Sequence, residues 1–215
     1  MLRRDLHAAL AFEAQRFEGF EPRYFELRFG SGDGCTRVTY AGAEIVGTID
    51  RIDVGPHGEV LIIDYKHKSS SSFAGEYNIF PSKGPGDSFT LDSFELPQHI
   101  QALAYAQIVR RLHPELSVAG AVFFSTMGAK PGDHTIAGLA KASVLPRILG
   151  EEEAGRREAS MCPPPGTTFE ELLDATEQQV AQVIERLSAG EIGANPRNGE
   201  SCRYCPVLRC ERRMM

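Results

Sequence analysis

The chain has 215 residues, 42% of them hydrophobic and 24% charged, with a formal net charge of −6. That is enough apolar material for one ordinary core, so one domain over residues 1–215 is expected. No apolar run reaches the roughly 18 residues a membrane span needs, and charges interrupt the opening MLRRDLHAALAFEAQRFEG too often for a secretory signal. A soluble, cytoplasmic protein with no membrane partner is therefore expected, and its acidic balance excludes a global electrostatic footprint for nucleic acid, so any DNA contact must be local.

In chain order, Leu6, Leu10, Ala14 and Phe17 recur at three- and four-residue spacing and predict an amphipathic helix from about Arg3 to Glu18, ended by Gly19 and Pro22. RYFELRFG, CTRVTY, EIVGTIDRIDV and EVLIIDYKH follow as strands separated by the turns SGDG and GPHGE, an antiparallel meander. Residues 69–96 show no sustained period and read as a long loop, either a mobile lid over a groove or a tolerated insertion. Pro97 opens the predicted helix QHIQALAYAQIVRRL, which Pro114 closes, and VAGAVFFSTM is a strand apolar enough to be buried on both faces. A second irregular stretch covers about 128–165. The last helix starts at a capping box of Thr168 with Glu171 and stops at Gly190. The expected fold class is α/β: a mixed central sheet, antiparallel meander plus a further strand, flanked by helices.

The hairpin GTIDRIDVGPHGEVLIIDYKHKS concentrates acids and lysines on an apolar scaffold. Strand alternation sends Asp64 and Lys66 one way and Tyr65 the other. A symmetric turn facing Val54 with Val60 places Asp50 opposite Asp64, where Cβ atoms are roughly 4.5–5.5 Å apart and like charges repel. Such a pair calls for a cation. Mg²⁺ or Mn²⁺ held by two carboxylates, waters and a substrate phosphate would meet that need, with Lys66 stabilising charge on a scissile phosphate or orienting water. A solvated hairpin edge with ordinary charges is the alternative. Arg51 and Asp53 fall on the other face from Asp50, which suits a structural ion pair.

GTID followed by IIDYK, and then by QALAY with Gln101 and Tyr105 on one helical face, resembles the motifs of the PD-(D/E)XK nuclease superfamily, specifically its RecB/AddB-like exonuclease branch. The resemblance covers nearly the whole chain. It implies a restriction-endonuclease-like core and a Mg²⁺- or Mn²⁺-dependent deoxyribonuclease acting on single-stranded or ended DNA in repair or recombination. It also implies Asp50, Asp64 and the Tyr65 carbonyl as metal ligands, Lys66 as the catalytic lysine, and Gln101 and Tyr105 as groups that position the metal shell or the DNA backbone. Glu26, in EPRYFELRFG, matches the segment preceding the core and is a further candidate for the site. Many relatives add an upstream histidine. Only His7 precedes the hairpin here, and His67 points away from Lys66.

Cys202, Cys205 and Cys210, in CRYCPVLRC, have the spacing of a metal site rather than a disulfide framework, within a basic tail over 196–215. In the RecB/AddB-like branch a similar triplet joins an upstream cysteine to hold a [4Fe–4S] cluster. No cysteine precedes the first helix, which leaves three readings: the chain is a piece of a longer nuclease or helicase-nuclease, Cys162 or Cys35 supplies the fourth ligand, or the triplet holds zinc or nothing. The first is favoured, with a helicase domain or subunit as partner. A rival to the enzyme is a non-catalytic DNA-binding or scaffolding module that keeps the nuclease fold inside a repair complex.

Overall fold

A computed structural model describes residues 2–32, 34–86, 89–193, 202 and 205. The strands in chain order are β1 (Glu21–Phe29), β2 (Val38–Tyr40), β3 (Ala43–Ile45), β4 (Gly47–Val54), β5 (Glu59–Lys66), β6 (Ser117–Ser125) and β7 (Ile136–Ala140). The helices are α1 (Leu2–Glu13), α2 (Phe73–Tyr77), α3 (Gln101–Leu112), α4 (Leu145–Leu149), α5 (Glu151–Met161) and α6 (Phe169–Ser188).

Five strands form one mixed sheet in the order β1-β4-β5-β6-β7. β1, β4 and β5 are antiparallel neighbours, β5 and β6 run parallel, and β7 returns antiparallel to β6. The parallel pair needs a crossover longer than a hairpin turn, and residues 67–116 provide it through α2 and α3. The expected α/β class with a mixed sheet and flanking helices is the fold observed. The meander differs in one respect: β2 is not part of the main sheet. Positive φ at both Ala41 (53°) and Gly42 (80°) makes a tight turn, the geometry that joins adjacent strands, so β2 and β3 close on each other and β1 pairs directly with β4.

Alternation along β5 divides the core between the two faces of the sheet. Val60 and Ile62 pack with Leu103, Ala106 and Phe169 of α3 and α6, whereas Leu61 and Ile63 pack with Phe12, Leu145 and Ile148 of α1 and α4. This parity puts Asp64 and Lys66 on the α3 side and Tyr65 on the α1 side. β6 is buried along all but its first residue, as its apolar run predicts.

Four local expectations are corrected. On α1 the buried residues are Asp5, Ala8, Ala9 and Phe12, while Leu6 and Leu10 stay 57% and 53% exposed; the helix ends at Glu13, and Phe17 is buried from the loop beyond. Residues 69–96 are not a loose loop. α2 forms there because Phe73, Tyr77, Ile79, Phe80 and Phe94 are all buried in the α3-side core. Removing one such anchor, Phe73→Ala, should cost about 3–5 kcal/mol, seen as a lower denaturant midpoint at unchanged m-value. α3 starts at Gln101 rather than Pro97, with no side chain capping its first turn. The stretch 128–165 contains β7, α4 and α5, whose short runs are specified by burial of Ile136, Leu139, Ile148 and Met161 rather than by a visible period. At α6 the capping box of Thr168 with Glu171 forms, and Gly190 takes positive φ just past its end.

Candidate active site

The C-terminal end of β5, the end of β4 and the first turn of α3 meet on the α3 side of the sheet. Val54 pairs with Val60 as the symmetric turn requires, and the ladder continues to Arg51 opposite Ile63. It stops one pair short of Asp50 and Asp64. Ile49 and Ile52, an odd and an even position, both lie in the α3-side core, so the alternation slips by one at Asp50. Its carboxylate then turns to the neighbouring strand, where Oδ2 accepts a hydrogen bond from the Tyr65 amide at 2.9 Å. Asp50 is thus tied to the backbone of the strand carrying Asp64, instead of being only its cross-strand neighbour.

Asp64 is 2% exposed. The Lys66 ammonium lies 2.5 Å from its Oδ2 and is its charge partner. Burial raises the Asp64 pKa above the usual carboxylate range, Lys66 opposes the rise and the nearby Asp50 charge adds to it. Lys66 is oriented from the other side as well. Its ammonium donates to Gln101 Oε1 at 2.7 Å, and Gln101 Nε2 donates to the Tyr105 hydroxyl at 2.9 Å. The i, i+4 spacing on α3 therefore produces one continuous chain of contacts from Asp64 through Lys66 and Gln101 to Tyr105.

Glu26 takes φ +50° in the middle of β1, a conformation rare for residues other than glycine. The pairs Phe25 with Arg51 and Leu27 with Ile49 bracket it, so Glu26 stands beside Asp50 on the edge strand, exposed to solvent. His7 is exposed on α1, across the sheet from Asp64, and His67 is likewise outside this group, 3.4 Å from the Thr126 hydroxyl. Arg51 and Asp53 form the structural pair expected of them: Nε and Nη2 donate to the two Asp53 oxygens at 2.5 and 2.6 Å, and Nη1 bonds Glu13 and the Tyr65 hydroxyl. Burial works against the Arg51 charge, but the hydrogen bonds to Asp53 and Glu13 outweigh it and hold the guanidinium protonated more firmly than usual.

A second group beside Asp64 escaped the sequence reading. His99, two residues before Gln101, places Nε2 3.1 Å from Glu76 Oε1 and stacks on Tyr77 at 4.3 Å, while Lys68 pairs with the other Glu76 oxygen. Burial opposes the Glu76 charge, and the bonds from Lys68 and His99 overcome it, leaving that carboxyl below its ordinary pKa. The only hint in the sequence is the order GEY and PQHIQ, whose contact spans 23 residues and shows no periodicity.

Among the described residues, no group of three or more His, Cys, Asp or Glu side chains comes together as a metal site. The donors at the β4–β5 end are two carboxylates. This set fits Mg²⁺, which is commonly held by one or two carboxylates together with waters and substrate phosphates, and the buried Asp64 oxygen is already one that draws a cation, the Lys66 ammonium at 2.5 Å. At the other candidate centre, Cys210 lies outside the described residues; Cys202 and Cys205 are half-buried, with the Cys205 amide donating to the Cys202 carbonyl at 3.4 Å. Cys35 is half-buried. Cys162 is buried in the α1-side core, and burial together with Glu158 pushes its thiol up to about 12, which disfavours the thiolate a metal needs.

The family model of the PD-(D/E)XK nuclease superfamily matches residues 1–210. No curated protein matches the chain.

Proposed function

Because the chain belongs to the PD-(D/E)XK nuclease superfamily, we propose that it hydrolyses phosphodiester bonds in DNA with Mg²⁺ or Mn²⁺, as an exonuclease acting on single-stranded or ended DNA in repair or recombination. The observation that carries this reading is the buried Asp64 carboxylate with the Lys66 ammonium 2.5 Å away and Asp50 tied to the adjoining backbone. Asp50, Asp64 and the Tyr65 carbonyl would hold the ion, which when bound supplies Lewis-acid polarisation and a more acidic water.

The chain's own residues do the rest. Lys66, fixed between Asp64 and Gln101, presents its ammonium where negative charge builds on the phosphate, and preorganised charge of this kind needs no rearrangement during the reaction. Tyr105 fixes Gln101 through the hydroxyl that accepts its amide hydrogen. Glu26, beside Asp50 on the edge strand, is a third carboxylate that would line the site. On end-labelled DNA with Mg²⁺, Lys66→Ala should lower cleavage about 10²- to 10³-fold, the scale of losing one charge-stabilising donor. Cleavage equal to wild type would remove Lys66 from the mechanism.

The wider assignment is one nuclease domain over residues 1–215 with a Cys-rich basic tail at 196–215, working with a helicase domain or subunit, and with Cys202, Cys205 and Cys210 as ligands of a [4Fe–4S] cluster. Visible absorption and iron content of freshly purified protein test the cluster.

A further inference from the structure

We infer that Glu76 and His99 form a positioning device that sets the start of α3, and through Gln101 the placement of Lys66; the inference rests on the nuclease reading of that site. The need for such a device is visible in α3 itself. The helix begins at Gln101 with Ile100 at its N-cap and no side-chain cap, so its exposed amide donors are not held by the usual local means. Its first residue is nevertheless the one that holds Lys66.

The holding comes from across the chain. His99 Nε2 binds Glu76 Oε1 at 3.1 Å, and the imidazole lies nearly parallel to Tyr77, 4.3 Å between centroids at 15°. Its edge meets Phe123 at 6.4 Å. Phe123 is the residue beside Asp64 in the parallel register, and the Lys66 ammonium lies 5.6 Å from the centre of its ring. Glu76 is itself fixed, because α2 is anchored by the fully buried Phe73 and by Tyr77, and Lys68 engages its second oxygen. One imidazole therefore joins α2, the segment leading into α3, and the β5–β6 floor of the site. A shift of about 1 Å in a supporting group can cost about 10²-fold in rate without any loss of direct contact.

The test compares wild type, His99→Ala, His99→Gln, Glu76→Gln, Gln101→Ala and the double variant of His99→Ala with Gln101→Ala, by Mg²⁺-dependent cleavage and by exchange of the amides of residues 104–107, which bond the carbonyls of the first turn. His99→Ala and Glu76→Gln should lower kcat about 10- to 100-fold with little change in KM, and should speed exchange of these amides. His99→Gln keeps a donor for Glu76 and should recover part of the loss. On the Gln101→Ala background, His99→Ala should add less than about twofold, because the two act through one contact. Independent, multiplicative losses, or unchanged kcat together with unchanged exchange, would overturn the inference. Should wild type prove inactive, the nuclease reading fails while exchange still decides the positioning role: faster exchange in Glu76→Gln upholds it, and identical exchange removes it.

Discussion

Replacing Asp64 with asparagine is expected to abolish cleavage while leaving the protein at least as stable as wild type. The expected activity loss rests on the proposed role of Asp64 as an anionic metal ligand: charge stabilisation by a metal is worth several kcal/mol, and at tenfold per about 1.4 kcal/mol the rate should fall on the order of 10³-fold or more. The stability gain follows from burial. Asp64 has a folded pKa raised by desolvation, against the pull of Lys66, so the folded state binds its proton more tightly than the unfolded chain does. Ionising the group therefore costs stability above the folded pKa and costs nothing below the unfolded one. Asp64→Asn should raise the unfolding midpoint at neutral pH, with the gain disappearing as the pH falls below the unfolded carboxylate range. Such a pair of results is what an acid kept for a reaction at the expense of the fold would give.

Burial raises the Asp53 pKa as well, but its loss should act in the opposite direction, because its partner Arg51 is buried and would be stranded, whereas Lys66 reaches solvent. Asp53→Ala is expected to destabilise the protein by about 3–5 kcal/mol, the usual consequence of stranding one member of a buried ion pair. Asp53 is fully buried and makes a two-point contact with Arg51, which is itself buried on the α1 side of the sheet. Without Asp53, the guanidinium keeps only Glu13 and the Tyr65 hydroxyl. Replacing both partners at once, Arg51→Met with Asp53→Leu, should recover most of the loss, because two apolar side chains of similar size avoid the desolvation that two charges incur. Chemical denaturation of the two single variants and the double variant measures this directly. A double variant as unstable as Asp53→Ala would mean that Arg51 matters for packing rather than for charge.

The contrast between the two acids shows what the sequence could carry. Period two along β5 decides that Asp64 and Lys66 share a face, and the four-residue spacing of Gln101 and Tyr105 decides that they meet, so this part of the site was legible before any coordinates. The opposition of Asp50 and Asp64 was only partly legible. A regular ladder predicts it, but the slip between Ile49 and Ile52 sends the Asp50 carboxylate to the Tyr65 amide instead, and a one-residue irregularity leaves no mark in composition. α2 and β7 are five residues each, too short to show a period, and exist because Phe73, Tyr77, Ile136 and Leu139 find buried places. His99 and Glu76 were illegible for the same reason. Their contact is made by tertiary packing around Tyr77, and neither residue type at its position signals a role.

On the proposed function, the end of the β4–β5 hairpin seats one divalent ion between Asp50 and Asp64. Calorimetric titration of Mn²⁺ into the protein, repeated on Asp50→Asn and Asp64→Asn, tests it without depending on a substrate. One ion per chain in wild type, with binding weakened at least about tenfold in each variant, is the predicted result. Equal binding in all three proteins, or DNA cleavage that persists in excess chelator, would contradict it.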